Sequence, residues 1–372
     1  MAVALVNGGR IQARRLFLFP KQSSRNNMQK HSRNRRAIMT ATNNLITDIS
    51  GITVGNAHDE QLGSGVTAIL FEAATVASCA VLGGAAATRD CNCLEPDASV
   101  TGVNAIVLSG GSGFGLDAAS GVQAFLRERG TGFQIGPAVV PIVPQAVLFD
   151  LINGGNKDWG LYPPYRELAY RAALEAKQKF QLGTQGAGFG ATTVNLKGGL
   201  GSASAVTSSG LTVGALVAVN ALGSTVLGNG PHFWAAPLEE NGEFGNLGLP
   251  SSIPATAKHL AWKGQTQPAT TIALVATNAA LTKAQAKRLA TAAHDGFARA
   301  LRLTHAPMDG DTVFSAATGA QPLRDELQDM IELCATAADC LSRAIARGVF
   351  EATSLPYPDA LPAWKDLYGK TE

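Results

Sequence analysis

A pair of threonines opens an apolar strand in the C-terminal part of the chain. Residues 264–269 are polar or small and include a proline, and Thr270 and Thr271 then lead into the β-branched, apolar run 272–277. A threonine hydroxyl is a weak nucleophile until a base lies beside it, and a free α-amine on the same residue can be that base. A cut in the backbone before Thr270 would therefore create a catalytic N-terminal threonine. The alternative is an ordinary strand start, since threonine is common in strands.

Two further positions could complete such a site. Asn220 lies near the end of a long apolar strand, where a buried amide needs a hydrogen-bond partner. Its side chain could donate to a developing oxyanion, or it could bond its own turn. Asp309 and Asp311 flank Gly310, so both carboxylates belong to one tight turn. They could orient a threonine hydroxyl and hold its ammonium, bind a cation, or form an Asx turn.

Lys197 and a glycine-rich turn are weaker signals. Lys197 precedes two glycines and is either an active-site cation or an exposed turn lysine. Residues 105–119 have the pattern of a buried strand, a glycine turn and a helix, which could cradle a phosphate at the helix N-terminus. The strict G-x-G-x-x-G spacing is absent, and no acidic residue closes a second strand about 20 residues further on. Tight packing of helix on strand is the favoured reading.

Composition excludes several classes of protein. With 372 residues and 46% hydrophobic content, the chain can bury a large core, so it is neither disordered nor fibrous. The residues after position 38 carry 21 basic and 28 acidic side chains, which argues against general nucleic-acid binding. Five cysteines and scattered histidines predict free thiols in a reducing, cytoplasmic compartment, with no metal site and no cofactor. No apolar run is long enough to cross a membrane.

The first 38 residues contain nine Lys or Arg and no Asp or Glu. Such a basic, acid-free segment resembles a targeting peptide, but it lacks a signal-peptide core with a small-residue cleavage site. Residues 1–38 are therefore expected to be a disordered extension, which is either a targeting segment or an over-extended start ahead of Met39.

The order of predicted elements indicates a layered α/β fold. Residues 231–268 lack periodicity and are rich in Gly, Pro, Asn and Ser, which predicts a long surface excursion where a chain is easily cut. Long apolar runs are typical of strands buried on both faces, so helices are expected to cover the sheets. Strands are predicted at 46–49, 52–56, 66–71, 74–81, 105–109, 211–223 and 270–277, and helices at about 116–129, 282–303 and 322–348.

Taken together, these motifs resemble one superfamily. The segment 110–118, the strand carrying Asn220, the start at 270–272 and the turn at 309–314 are similar, in this order, to the nylon-oligomer hydrolases. The β-peptidyl aminopeptidases and the L-aminopeptidase/D-esterases belong to the same superfamily. The likeness spans roughly residues 45–350. It implies an N-terminal-nucleophile hydrolase with an αββα four-layer sandwich, made as a precursor and split into two chains that stay together.

The resemblance assigns roles to individual residues. It makes Thr270 the nucleophile and the bond between Ala269 and Thr270 the self-cleavage site, which divides the protein into a large chain, 39–269, and a small chain, 270–372. Asn220 becomes the oxyanion donor. Further residues carried over are two carboxylates that orient the nucleophile, one lysine as a looser match, and three substrate-binding positions: Asp309, Asp311, Lys197, Phe149, Gly111 and Ser112.

Two positions depart from the family pattern. Ala269 stands where asparagine or glycine is expected, and Phe149 stands where a pocket tyrosine is expected. Alanine is small enough to leave the bond reachable. Phenylalanine cannot donate a hydrogen bond, which affects how a substrate is oriented.

The sequence thus predicts an autoprocessed amidohydrolase or aminopeptidase that acts on short peptides or related linear amides. Its only expected partners are such substrates and further copies of itself, as a homo-oligomer of cleaved heterodimers, with no nucleic acid and no membrane. Two alternatives stay open at this point. One is an acyl transferase of the arginine-biosynthesis type, and the other is an uncleaved protein that binds a phosphate ligand.

Overall fold

The computed structural model describes residues 43–264 and 269–369 of the chain. The basic segment 1–38 and the linker residues 265–268 lie outside the described residues. The expectations for that segment, and for the exposure of the linker, therefore stay predictions.

The strands form one continuous path in which a single long strand is shared by two sheets. In the described residues the path runs β3-β7-β4-β2-β11-β10-β9-β8, β1 also pairs with β2, and β5 and β6 form a separate hairpin. The strand bounds are β1 Ile52–Asp59, β2 Ser64–Val81, β3 Ala87–Arg89, β4 Val103–Ser109, β5 Phe133–Ile135, β6 Ala138–Val140, β7 Gln145–Val147, β8 Gly199–Val206, β9 Thr212–Asn220, β10 Thr270–Ala279 and β11 Thr312–Gln321.

The two halves of β2 have different neighbours. Residues 64–75 pair with β1 and β4, whereas residues 76–81 pair with β11. The first sheet therefore contains β1, β4, β7 and β3, and the second contains β11, β10, β9 and β8. The sequence predicted two strands at 66–71 and 74–81, but Glu72 and Ala73 do not form a turn and the strand continues through them.

Three hydrophobic clusters define four layers, because alternate residues of a strand point to opposite faces. Ile106 of the first sheet shares one cluster with Leu216 and Leu274 of the second sheet, so this cluster lies between the sheets. The adjacent residues Val217 and Val275 belong to a different cluster on the outer face of the second sheet.

Helices cover both outer faces. Phe297 and Leu341 pack with the outer face of the second sheet, while Val122 and Leu168 pack against Val107 on the outer face of the first. The predicted αββα sandwich is therefore confirmed. The helices are α1 Ser112–Gly115, α2 Ala118–Glu128, α3 Tyr165–Leu174, α4 Lys283–Ala293, α5 Asp295–Ala300, α6 Glu326–Phe350 and α7 Trp364–Tyr368.

Local hydrogen bonds explain where the predicted elements were wrong. The segment predicted as a strand at 46–49 is a short 3₁₀ helix, Ile46–Asp48. The Asp48 carboxylate accepts from the backbone N–H of Asn43 and of Leu45, which favours a turn over an extended chain. Thr282 caps α4 as predicted, but the helix ends at Ala293 and α5 follows as a separate helix.

The excursion before β10 is more than surface loop. Phe233 and Phe244 from this segment are buried and pack edge to face, and Phe233 stacks on Trp364 at a ring distance of 5.7 Å. Lys263, near its end, is also buried. The predicted surface excursion is therefore anchored at these positions, because buried aromatic side chains attach the segment to the body of the protein.

Two observations relate to the predicted cytoplasmic location. All five cysteines are free thiols. Among the described residues, no helix combines the length and the apolar character that a membrane span requires. The cytoplasmic location itself stays a prediction.

Candidate active site

The candidate site lies where three neighbouring strands begin or end, and these strands place Thr270 beside Asn220 and the aspartate turn. Thr270 is the first residue of β10 and is only 6% exposed. It pairs in antiparallel register with Asn220, the last residue of β9. On the other side β10 runs parallel to β11, which follows directly after the aspartate turn. Directly opposed residues project to the same face of a sheet, so Thr270 and Asn220 present their side chains together.

The carbonyl of Ala269, which is the predicted scissile carbonyl, already has two donors. The backbone N–H of Gly310 donates to its oxygen at 3.0 Å, and the hydroxyl of Thr270 donates to it at 2.5 Å. Ala269 also forms a parallel bridge with Asp309. A Cβ atom on Gly310 would lie 2.6 Å from Oγ1 of Thr270, so only glycine fits between this turn and the hydroxyl.

Asp311 holds two segments of the site together. Its Oδ1 accepts from the backbone N–H of Thr271 at 2.9 Å. Its Oδ2 accepts from the backbone N–H of His305 at 2.9 Å and is 3.0 Å from Nδ1 of the same histidine. The carboxylate therefore fixes the start of β10 against the loop before β11, one residue beyond the nucleophile.

Asp309 is the less satisfied of the two carboxylates. Its Oδ2 accepts from the backbone N–H of Ala306 at 3.3 Å, whereas Oδ1 is buried and has no hydrogen-bond partner among the described residues. Burial, followed by repulsion from Asp311, raises the pKa of Asp309 to about 7. A carboxyl in this state can change its charge near neutral pH.

Asn220 is fixed at both ends of its amide. Its Oδ1 accepts from the backbone N–H of Thr192 at 3.0 Å and from Nζ of Lys263 at 2.9 Å. Its Nδ2 donates to the backbone carbonyl of Phe149 at 2.9 Å. Phe149 thus contributes its backbone carbonyl to the site. Its ring, which is half-buried, takes no part in this hydrogen bond. A role for that ring in substrate binding stays a prediction.

Lys197 contacts the glycine loop that precedes Thr192, and not Asn220 itself. Its side chain is buried, and Nζ donates to the carbonyls of Gly188, Ala191 and Gly198 at 2.9–3.0 Å. Burial lowers the pKa of Lys197 to about 7, although the charge of Asp150 opposes this shift. Of the two alternatives for Lys197, the exposed turn lysine was wrong, and a role as an active-site cation stays a prediction. With all three ammonium protons donated to carbonyls, Lys197 stabilises the glycine loop next to Thr192, and it reaches Asn220 only through that loop.

The glycine turn that follows β4 of the first sheet contains Gly111 and Ser112. Gly111 has a φ of 85°, and a Cβ there would overlap the ring of Tyr165. The N–H of Gly111 donates to Asp150 at 2.8 Å, and the N–H of Ser112 donates to the carbonyl of Leu148 at 2.9 Å. The N–H groups of Gly111 and Ser112 are therefore already bonded within the protein, and a role for these two residues in substrate binding stays a prediction.

Sequence reasoning missed two buried charged residues of this region. Asp150 accepts from the Ser64 hydroxyl at 2.6 Å, and burial raises its pKa. Lys263, whose Nζ contacts Asn220, lies only a few residues before the predicted cleavage site. Neither belongs to a motif, and the only local signal is that Lys263 precedes a glycine in a polar segment.

An open pocket of about 410 Å³ borders this cluster. Its lining includes Asn153, Thr192 and Lys263, all of which contact the Asn220 side chain, together with Trp262 and Asp359. A small molecule in this pocket would lie next to residues that contact the Asn220 side chain.

Comparison with known proteins identifies the family. The model of peptidase family S58 matches residues 44–360. An uncharacterized aminopeptidase of Mycobacterium bovis is 41% identical over 346 residues, covering 87% of this chain and 98% of its own. A 6-aminohexanoate-oligomer endohydrolase of a Kocuria species is 27% identical, covering 75% of this chain and 76% of its own.

Solved structures agree at the level of the fold. A β-aminopeptidase of a Burkholderia species superposes with a TM-score of 0.66 at 21% identity, covering 88% of this chain and 92% of its own. The L-aminopeptidase D-Ala-esterase/amidase of Ochrobactrum anthropi, whose structure is described as a variant of the Ntn hydrolase fold, has a TM-score of 0.65 at 20% identity and covers 90% and 96%. The family match spans most of the chain and the fold agrees with it. The chain therefore belongs to peptidase family S58, and as a member of a peptidase family it is a hydrolase.

Proposed function

We propose that this protein is an aminopeptidase or amidohydrolase that cuts its own chain between Ala269 and Thr270 and then uses Thr270 as an N-terminal nucleophile. The observation that carries the proposal is the pair of donors on the Ala269 carbonyl, with the Thr270 hydroxyl at 2.5 Å and the Gly310 N–H at 3.0 Å. This arrangement brings a nucleophile and an oxyanion donor to one peptide bond.

The self-cleavage step follows from these contacts. Oγ1 of Thr270 bonds to the carbonyl carbon of Ala269, and the carbonyl electron pair moves onto the oxygen, where the Gly310 N–H stabilises it. The C–N bond then breaks, and the hydroxyl proton ends on the departing nitrogen. An ester between the two residues results, and water hydrolyses it to leave a carboxylate on Ala269 and a free amine on Thr270.

The freed amine makes the mature site different from the precursor site. It can take the hydroxyl proton of its own residue while the hydroxyl attacks an amide substrate. Asp309 and Asp311 lie in the turn beside it and would hold the ammonium in place. Asn220 would donate to the oxyanion, and water would release the acyl group from Thr270.

The substrate class rests on charge and on the relatives. Short peptides and linear amides that carry a free amine suit a site with two carboxylates, and the names of the relatives, aminopeptidase and 6-aminohexanoate-oligomer endohydrolase, support the same class. Intact mass and N-terminal sequencing of the purified protein test the proposal. Two chains, the smaller starting at Thr270, are expected, and a single uncut chain would refute self-cleavage.

A further inference from the structure

Both the backbone and the side chain of Lys263 form hydrogen bonds at the end of β9. Its N–H donates to the carbonyl of Leu222 at 3.0 Å, and its Nζ donates to Oδ1 of Asn220 at 2.9 Å and lies 3.4 Å from the carbonyl oxygen of the same residue. The residue is only 6% exposed. Its ammonium is therefore held in the interior against one particular amide.

A buried ammonium is costly unless something compensates for its lost hydration. In the part of the chain that the structure describes, Lys263 forms no ion pair with a carboxylate, and Asp309 and Asp150 attract it only from a longer range. Burial lowers the pKa of Lys263 to about 7. Lys197, which is also buried, donates only to backbone carbonyls, whereas the ammonium of Lys263 donates to the side chain of Asn220.

The contact determines which way the Asn220 amide faces. An ammonium and a backbone N–H can only donate, so Lys263 and Thr192 both require the amide oxygen on their side. The amide nitrogen must then point the other way, where it meets the carbonyl of Phe149 and has a second N–H to offer. While Lys263 is protonated, its positive charge beside the amide oxygen also polarises the amide and strengthens its N–H groups as donors.

We propose that Lys263 is a positioning residue of the hydrolytic reaction, which orients and polarises the Asn220 amide so that its nitrogen stabilises the oxyanion. The inference rests on the proposed function of the Thr270 site. Lys263 precedes the cleavage site and stays in the large chain, so it is available to act in the mature enzyme as well as in the precursor.

Lys263→Met tests this role in the full-length protein, because it removes the ammonium and keeps a side chain of similar length. Loss of an oxyanion donor costs about 10² to 10³ in turnover, so loss of its positioning is expected to cost about 10-fold in kcat with little change in KM. Lys258→Met is the matched control, since Lys258 is an exposed lysine of the same segment. It is expected to behave as wild type.

A double-mutant cycle separates positioning from a merely structural effect. If Lys263 acts through Asn220, adding Lys263→Met to Asn220→Ala leaves turnover unchanged. Wild-type kcat in Lys263→Met, or losses that multiply in the double variant, would overturn the inference.

Lys263→Arg keeps a charged donor, so it is expected to recover part of the rate and serves as the second variant if the methionine variant does not fold. The kcat of the arginine variant, compared with that of the wild type, then tests the inference. An arginine variant as slow as Asn220→Ala would count against it.

Measurements on the wild-type protein distinguish failure of this inference from failure of the proposed function. If it shows neither two chains nor amide hydrolysis, the proposed function fails. If it shows both and Lys263→Met is unaffected, only the role of Lys263 fails.

Discussion

The backbone N–H of Gly310 donates to the carbonyl oxygen of Ala269 at 3.0 Å, directly beside the hydroxyl of Thr270. This single contact joins the aspartate turn to the peptide bond ahead of β10. It places a fixed donor on the oxygen that would become negative if the threonine attacked that bond, before any free amine exists.

Thr270→Ala removes the proposed nucleophile and is expected to leave a full-length, inactive protein with a melting temperature close to that of the uncut wild-type chain. The physical reason is that alanine has no oxygen to form the ester. Denaturing electrophoresis and intact mass provide the measurement. A variant that still yields a chain beginning at residue 270 would show that another group cuts the bond.

Gly310→Ala is expected to block maturation. The new Cβ would lie 2.6 Å from Oγ1 of Thr270 and 2.9 Å from its Cγ2, so the hydroxyl must move away from the Ala269 carbonyl. The fraction of cut chain after purification measures the effect. Gly230→Ala is the control, because a Cβ there meets its nearest atom at an ordinary 3.4 Å. Equal cleavage in both variants would contradict the proposed geometry.

Activity is expected to rise as the pH increases through the pKa of Asp309, because this group is neutral below its pKa and negative above it. That pKa is raised to about 7 in the uncut chain, and the new ammonium of Thr270 would lower it in the cut chain. A neutral carboxyl cannot hold the Thr270 ammonium. Asp309→Asn should lower turnover by orders of magnitude and remove this limb of the pH profile, which steady-state rates at a series of pH values would measure. An unchanged profile would return Asp309 to a structural turn.

The raised pKa of Asp309 also affects the free energy of unfolding. Its effect with pH is opposite to that of a salt-bridged carboxylate, whose pKa is lowered by folding. The folded pKa of Asp309 lies above its ordinary value of 3.8, so between these values the folded state binds the proton more tightly than the unfolded state. The contribution of Asp309 to the free energy of unfolding therefore falls as the pH rises through this window. In Asp309→Asn this part of the decline should be absent from denaturant titrations.

Asn220→Ala is expected to lower the turnover of amide substrates by about 10² to 10³, with a much smaller change in KM, because an oxyanion donor acts on charge that exists only in the transition state. Self-cleavage should slow less, since the Gly310 N–H still donates to the Ala269 carbonyl. Time courses of maturation and hydrolysis give both rates. Wild-type hydrolysis would make Asn220 a structural amide.

Lys197→Met is expected to reduce stability as well as activity. Three buried carbonyls would each lose a donor. Those of Gly188 and Ala191 keep a backbone N–H donor, and a buried acceptor that is left unsatisfied costs about 1–3 kcal/mol. Because the folded pKa of Lys197 lies below its ordinary value, its contribution to stability rises between pH 7 and 10.5 in the wild type. Thermal unfolding across this range should lose that rise in the variant. An unchanged melting temperature would favour a purely catalytic lysine.

The sequence predicted the main strands and helices and the motifs of the candidate site because these are local patterns, whereas the stacking of four layers was implied by the resemblance to the nylon-oligomer hydrolases. Long apolar runs identify the strands, and the start at Thr270 and the turn at Asp309 are formed by consecutive residues. Lys263 could not be found this way. Its partner Asn220 is far from it in sequence, and no periodicity records that a polar loop folds back over a strand end.

The same limit explains the other differences. Glu72 and Ala73 gave no sign that β2 runs unbroken from one sheet to the next, since that depends on which strands lie beside it. Lys197 looked like a turn lysine because its three carbonyl partners are brought together only by the folded glycine loop. The burial of such polar groups is decided by tertiary contacts.

The position of β10 and β11 within the second sheet also governs what a cut at Thr270 would do to the assembly of the protein. These two strands pair with each other and are bordered by β9 on one side and β2 on the other, and both bordering strands come from the sequence before the cut. The fragment after the cut would be wedged into the middle of the other fragment's hydrogen-bonded ladder. The two pieces would co-purify under native conditions and part only when the sheet itself unfolds.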